Sequence, residues 1–160
     1  MHKLLLFVLL LAFLLVMNAL QTDEQGALQA LFEGKRAVNR AAHAAVQQVD
    51  QAKLADGIFA LDAVQAESAG LAYLQANMHL DSANEPLPGA FWKAGAEVVV
   101  FEVINEDRAF PYTYTNASYD VEVTLNRPGV VMVVHVEYPR VFRVLRPVEW
   151  HLKGVGELVY

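Results

Sequence analysis

The chain has 160 residues, of which 55% are hydrophobic, with a net charge of −6 and no cysteine. The acidic balance argues against a nucleic-acid partner, because phosphate binding needs a basic surface. The lack of cysteine excludes disulfides, thiolate metal sites and cysteine nucleophiles together.

Met1, His2 and Lys3 precede an uncharged run from Leu4 to Leu20, LLLFVLLLAFLLVMNAL. A bilayer core takes about 20 apolar residues, with about 17 as the lower limit. The run therefore reads as a membrane anchor, with Leu4, Phe7, Leu11, Phe13, Leu15 and Leu20 as its apolar side chains. The alternative is a cleaved signal peptide. Leu4 to Val16 has a suitable length, and Ala19 can precede a cut, but Met17 stands where a small residue is wanted. His2 and Lys3 lie before the run and Asp23 and Glu24 after it. That asymmetry places the N-terminus in the cytoplasm and the rest outside. The chain thus divides into residues 1–20, anchor or signal peptide, and residues 21–160, one extracytoplasmic domain.

From Leu28 onward, apolar residues recur as Leu28, Leu31, Phe32, Val38, Ala42, Ala45, Val46 and Val49. Spacings of three and four mark one face of an α-helix. Glu33, Arg36, Asn39, Arg40, His43, Gln47 and Asp50 fall on the other face. No proline interrupts, so the pattern predicts one helix from Leu4 to about Lys53, roughly 75 Å long at 1.5 Å per residue. Asp56-Gly57 supplies its stop. The stripe Leu28, Leu31, Val38, Ala42, Ala45 and Val49 is a candidate interaction face. It packs either on the chain's own sheet or on copies of itself and sister subunits.

Gly57 to Leu61 reads as a short extended piece. Asp62 then has the position of a helix N-cap, with Gln65 completing a capping box. Val64, Ser68, Leu71, Leu74, Gln75 and Met78 predict a second helix from Ala63 to about His79. Residues 81–96, polar and containing Pro86 and Pro88, read as a surface loop.

Strand signals follow. Glu97 to Ile104 is rich in β-branched residues. Tyr119, Val121, Val123 and Leu125 alternate with Asp120, Glu122 and Thr124. Asn126-Arg127-Pro128-Gly129 is a turn, and Val130 to Tyr138 is the expected return strand of a β-hairpin. Val148, Trp150 and Leu152 alternate with Glu149, His151 and Lys153, which gives a strand with one wet face. Gly154 and Gly156 weaken its end. Helices followed by strands argue an α+β fold: a long N-terminal helix, its first part anchored in membrane, and a second helix packed on an antiparallel sheet of about four strands.

No chemistry-bearing constellation stands out. The five histidines, His2, His43, His79, His135 and His151, show no metal-binding spacing, and a zinc site needs three or four converging ligands. His135 and His151 lie in different strands and are candidates for cross-strand neighbours. Glu97, Glu102, Glu122, Glu137 and Glu149 sit in or beside strands, where alternate carboxylates face water and no acid/base pair separates by role. Ser68, Ser82 and Ser118 have no nucleophile elbow, and there is no glycine-rich phosphate loop. The expectation is a non-enzymatic protein with no catalytic, cofactor-binding or metal-binding residue. Asn116-Ala117-Ser118 matches a glycosylation acceptor. Phe110, Tyr112, Tyr114 and Tyr119 concentrate in one predicted loop. They form either a partner-binding surface or a flap over the sheet edge.

A single N-terminal apolar helix running on into an amphipathic one that caps an antiparallel sheet resembles the pilin-like proteins. More narrowly, it resembles the minor pilin or pseudopilin group of the tight-adherence (Tad) pilus-assembly system. The likeness rests on the anchor, on the Ala-rich helix RAVNRAAHAAVQQVD (Arg36 to Asp50), and on the strand set YDVEVTLNRPGVVMVVHVEYP leading to VEWHLKG. It implies a pilin-like fold and a structural role in a pilus or secretion-type envelope apparatus. It implies no cofactor; the partners are the membrane, other envelope or pilus-assembly proteins, or the chain itself. Such pilins are processed after a Gly or Ala and carry a Glu in the mature apolar helix. Leu4 to Leu20 has neither Gly nor Glu, so this chain reads as an unprocessed, membrane-retained component. The alternative is an anchored or secreted extracytoplasmic binding module without catalytic activity.

Overall fold

The computed structural model describes residues 2–138, 140 and 146–159. Helix α1, His2–Val46, is one unbroken helix of 45 residues. It stops at Val46 rather than continuing to Lys53. The next residues are drawn into extended pairings: Val49 forms a bridge with Leu61, and the Asp62 amide donates to the Gln48 carbonyl at 2.9 Å. Asp50 then starts a separate short helix, α2 (Gln51–Ala55), by accepting from the amides of Ala52 and Lys53. An aspartate that caps a new helix competes with continuation of the old one. Gly57, at φ 79°, follows the end of α2.

Helix α3, Ala63–Met78, begins at Asp62, whose carboxylate accepts from the amides of Val64 and Gln65 at 3.0 Å each. His79 closes it in the left-handed conformation. Its buried side is Ala66, Gly70, Leu74 and Met78, whereas Val64 is 75% exposed. The face is therefore rotated from the expected one, and small residues set it. A Cβ at Gly70 would lie 3.4 Å from the Ala45 Cβ and 2.9 Å from the Phe101 ring.

The strands are β1 (Glu97–Ile104), β2 (Tyr112–Asn116), β3 (Val121–Leu125), β4 (Gly129–Tyr138) and β5 (Val148–Glu157). They form two sheets, an antiparallel β1-β4-β5 and a β2-β3 hairpin. The expected pairing of Tyr119–Leu125 with Val130–Tyr138 does not occur. β3 pairs instead with the aromatic segment expected to be a loop, from Tyr112↔Leu125 to Asn116↔Val121. The reason lies in β4. Its GVVMVVHV run is apolar on both faces, as in a strand covered from both sides. Such a strand needs neighbours at both edges and layers on both faces; β3 alternates and serves as part of one covering layer.

The architecture is thus α+β in three layers. Val38, Ala41, Leu74, Met132, Val134, Val136 and Leu152 fill the core between helices and sheet. Ile104, Val121, Leu125, Val131 and Val133 fill the core between sheet and hairpin. Residues 81–96 contribute Ala90, Trp92 and Ala96 to the buried set, so this segment is more than a surface loop. β5 continues through both of its expected weak points. A Cβ at Gly154 would lie 2.8 Å from the Val38 carbonyl oxygen, and one at Gly156 would lie 3.0 Å from that of Ala42. These glycines let the α1 backbone lie directly on the strand.

Candidate functional site

The apolar start of α1 is not buried by the rest of the described chain. Its most apolar window has mean hydropathy 2.6 and none of it is buried. Leu4, Phe7, Leu11, Phe13, Leu15 and Leu20 are all exposed. Exposed apolar surface on this scale marks a membrane or protein contact. Among the described residues, α1 is the one helix long and apolar enough to cross a membrane.

The environment changes within three residues of Leu20. Asp23 is 1% exposed, and the Arg140 Nη1 donates to its Oδ2 at 3.2 Å. A buried carboxylate needs such a partner, because desolvation of an isolated charge is prohibitive. Arg140 is itself held by its Nε donating to the Arg146 carbonyl at 3.1 Å. One turn on, a Cβ at Gly26 would overlap the Tyr138 hydroxyl at 2.4 Å. The same helix that lies bare along its first twenty residues is therefore clamped to the end of β4 as soon as the apolar run stops. A groove of about 390 Å³ flanks this junction, between Leu20, Ala27, Leu28 and Leu31 on α1 and Val148 and Trp150 on β5.

The candidate interaction stripe divides. Val38, Ala42 and Ala45 are fully buried in the chain's own core, so they face the sheet and α3 and no outside partner. Leu31 is partly buried against that core. Val49 has left the helix for its bridge with Leu61. Leu28, 50% exposed, stays open, and Phe32, 59% exposed, joins it one turn on.

Phe110, Tyr112, Tyr114 and Tyr119 line the core between hairpin and sheet, each partly buried. The segment expected to be a loop is thus strand β2 of the hairpin, with these aromatics turned toward the sheet. Its strand character was readable as the period-two pattern Tyr112, Tyr114 against Thr113, Thr115. Asn116 of the glycosylation motif uses its side chain to accept from the Ser118 amide.

The polar groups form two smaller features. His135 and His151 are direct cross-strand partners, with ring centroids 5.1 Å apart. Tyr119 packs on His151 at 5.1 Å, and the His135 Nε2 lies 3.7 Å from the Glu149 carboxylate. Beside them, a cleft of about 780 Å³ lies between Glu67 and Leu71 of α3, Glu85 and the start of β1. Among the described residues no three His, Asp or Glu side chains converge to hold a metal. His43 is exposed on α1 and His79 serves as a helix cap.

Away from the junction, two clamps fix the α2 region. The Asn105 side chain both donates to and accepts from the Leu61 backbone, at 2.9 and 2.8 Å. Lys53 pairs with Glu106. The hydrogen bond from Lys53 holds the Glu106 carboxyl below its ordinary range and, reciprocally, raises the Lys53 ammonium above its own. The chain matches no protein-family model, no curated protein and no solved structure.

Proposed function

We propose that the chain is a membrane-anchored extracytoplasmic structural protein, a pilin- or pseudopilin-like component of a pilus or secretion-type envelope apparatus. One observation carries the reading: an exposed apolar helix continues without interruption into the spine of a folded head, with Asp23–Arg140 and Gly26–Tyr138 fastening the two at the joint. That construction suits a protein whose anchor and head must move as one body. The proposed orientation puts Lys3 in the cytoplasm and the head outside. Leu28 and Phe32 remain open to neighbouring subunits.

The test is the intact mass and N-terminal sequence of protein recovered from membranes, with photo-crosslinkers placed at Leu28 and Phe32. An uncut N-terminus, resistance to alkaline extraction and crosslinks to other anchored proteins support the reading. A soluble product beginning near Ala19 overturns the anchor. An intact anchor with no protein crosslink overturns the assembly role. In either case the 780 Å³ cleft beside β1 favours the second reading, a non-catalytic binding module.

A further inference from the structure

Past the β2–β3 hairpin, one face of the sheet carries polar side chains instead of apolar ones. Val131, Val133 and Val155 lie on this face in the core beneath the hairpin. With a period of two, His135 and Glu137 of β4 and Glu149, His151 and Lys153 of β5 continue the same face. The register sets them in rungs. His135 stands opposite His151 and Glu137 opposite Glu149, while Glu97 of β1 flanks His135 on its other side. Both rungs pair like with like. Two carboxylates directly opposite repel, and exchanging the residues at 149 and 151 would have given two His–Glu pairs instead. A cation set between the rungs answers both, taking charge from the carboxylates and nitrogen lone pairs from the imidazoles. Lys153 is the one ammonium on this face of β4 and β5, and it already donates to the Asp120 carbonyl oxygen.

The histidine rings stand at chelating distance. A metal held by one nitrogen of each, at about 2.0–2.1 Å and a tetrahedral angle, spaces the two imidazole centroids by about 5 Å. Here the centroids are 5.1 Å apart. The next edge of such a tetrahedron, from nitrogen to carboxylate oxygen, is about 3.4 Å. The His135 Nε2 lies 3.7 Å from the Glu149 Oε2. Among the described residues no three such side chains converge as they stand. Closing the remaining gap takes a turn of Glu149, whose side chain is 66% exposed and free to swing. Tyr119 packs on the His151 ring and limits its rotation.

We propose that His135 and His151, with Glu149 as third ligand, bind a divalent transition metal of the zinc class, with water in the fourth position. Imidazole nitrogen selects such metals over Ca²⁺ and Mg²⁺, which prefer oxygen ligands. The bound metal ties β4 to β5 close to the joint at Tyr138, so it stabilises the head. The inference goes beyond the assembly reading and does not rest on it.

The untagged full-length chain in detergent is titrated with Zn²⁺ alone in a calorimeter, and the unfolding midpoint of the head is measured with and without the metal. The comparison is with His151→Gln, whose site is exposed, and with His43→Gln on the far side of the head as control. One Zn²⁺ per chain, a raised midpoint, and loss of both in His151→Gln but not in His43→Gln support the site. Glu149→Gln should weaken binding by about tenfold or more, the range that loss even of an outer-shell partner produces; an unchanged affinity overturns Glu149 as a ligand. No Zn²⁺ binding by the wild type overturns the site. So does binding that survives in His151→Gln, or Ca²⁺ binding as tight as that of Zn²⁺, which would make the face a diffuse acidic patch. His135→Gln, read in the same way, keeps the test decisive if His151→Gln does not fold.

Discussion

The two halves of α1 are equally helical and both rich in apolar residues, yet they are built from different side chains. Residues 2–22 carry Leu, Phe and Val, and none is buried. Beyond Thr22 the buried positions are Asp23, Ala30, Gly34, Ala37, Val38, Ala41, Ala42, Ala44, Ala45 and Val46. Bulky side chains maximise apolar area offered to lipid. Small ones let a backbone approach another backbone, as the Val38 and Ala42 carbonyls approach Gly154 and Gly156. Hydrophobicity thus does not by itself tell what a helix packs on; side-chain size does. The contrast can be attacked from the protein-facing side, where the expected effects are largest.

A charge in the small-residue half should do the most damage. Ala42 is 0% exposed beside Gly156. Ala42→Glu buries a carboxylate with no partner designed for it, at an expected loss of about 3–5 kcal/mol. Chemical denaturation of the detergent-solubilised full chain should show the head unfolded or far less stable. The same change at Leu11 lies outside the head and should leave its unfolding midpoint alone. A normal midpoint for Ala42→Glu would refute the packing of α1 on β5.

Size without charge comes next. Gly154→Val places its Cβ 2.8 Å from the Val38 carbonyl oxygen, a backbone atom that cannot rotate away. Overpacking of this kind costs about 1–3 kcal/mol. A wild-type midpoint would mean that α1 lies farther from β5 than the structure places it. Asp23→Asn sits at the boundary between the halves. It removes the charge on one side of the Asp23–Arg140 pair, and the Arg140 side chain is 26% exposed, so solvent recovers part of the loss. The expected cost is about 1–2 kcal/mol, read from the head's midpoint. An unchanged midpoint would remove this pair as a fastener of anchor to head.

Much of this was legible locally. The apolar run, the α3 cap at Asp62, the extent of β1 and the cross-strand meeting of His135 with His151 all follow from spacing and residue type. What failed was choice of partner. The turn at Asn126–Gly129 signals a reversal, but a turn does not say whether its two strands pair or lie in different layers. Only the two-faced burial of β4 decides that, and it depends on α1, β1, β5 and the hairpin at once. α3 misled by size: Val64 drew attention, whereas Ala66 and Gly70 face the core. Asp23 and Arg140, 117 residues apart, left no local trace. The groove beside Trp150 depends on that same long-range joint.

The smallest effect belongs to the far end of the head, where Lys53 meets Glu106. The Lys53 hydrogen bond lowers the Glu106 pKa below its ordinary 4.5, so the stability Glu106 contributes is present above that value and is lost as pH falls through the lower, folded one. Glu106 raises the Lys53 pKa above its ordinary 10.5, so the Lys53 contribution is present below that value and is lost as pH rises through the higher, folded one. The pair therefore acts across a plateau that covers neutral pH and fades at both extremes. Both groups are solvent-accessible, with side-chain exposures of 43% and 34%, so screening keeps the effect slight. Lys53→Gln should lower the unfolding midpoint a little at neutral pH, less at high salt, and not at all once Glu106 is protonated. A gap between variant and wild type that stayed constant into strong acid would show that Lys53 acts through packing of its stem and not through its charge.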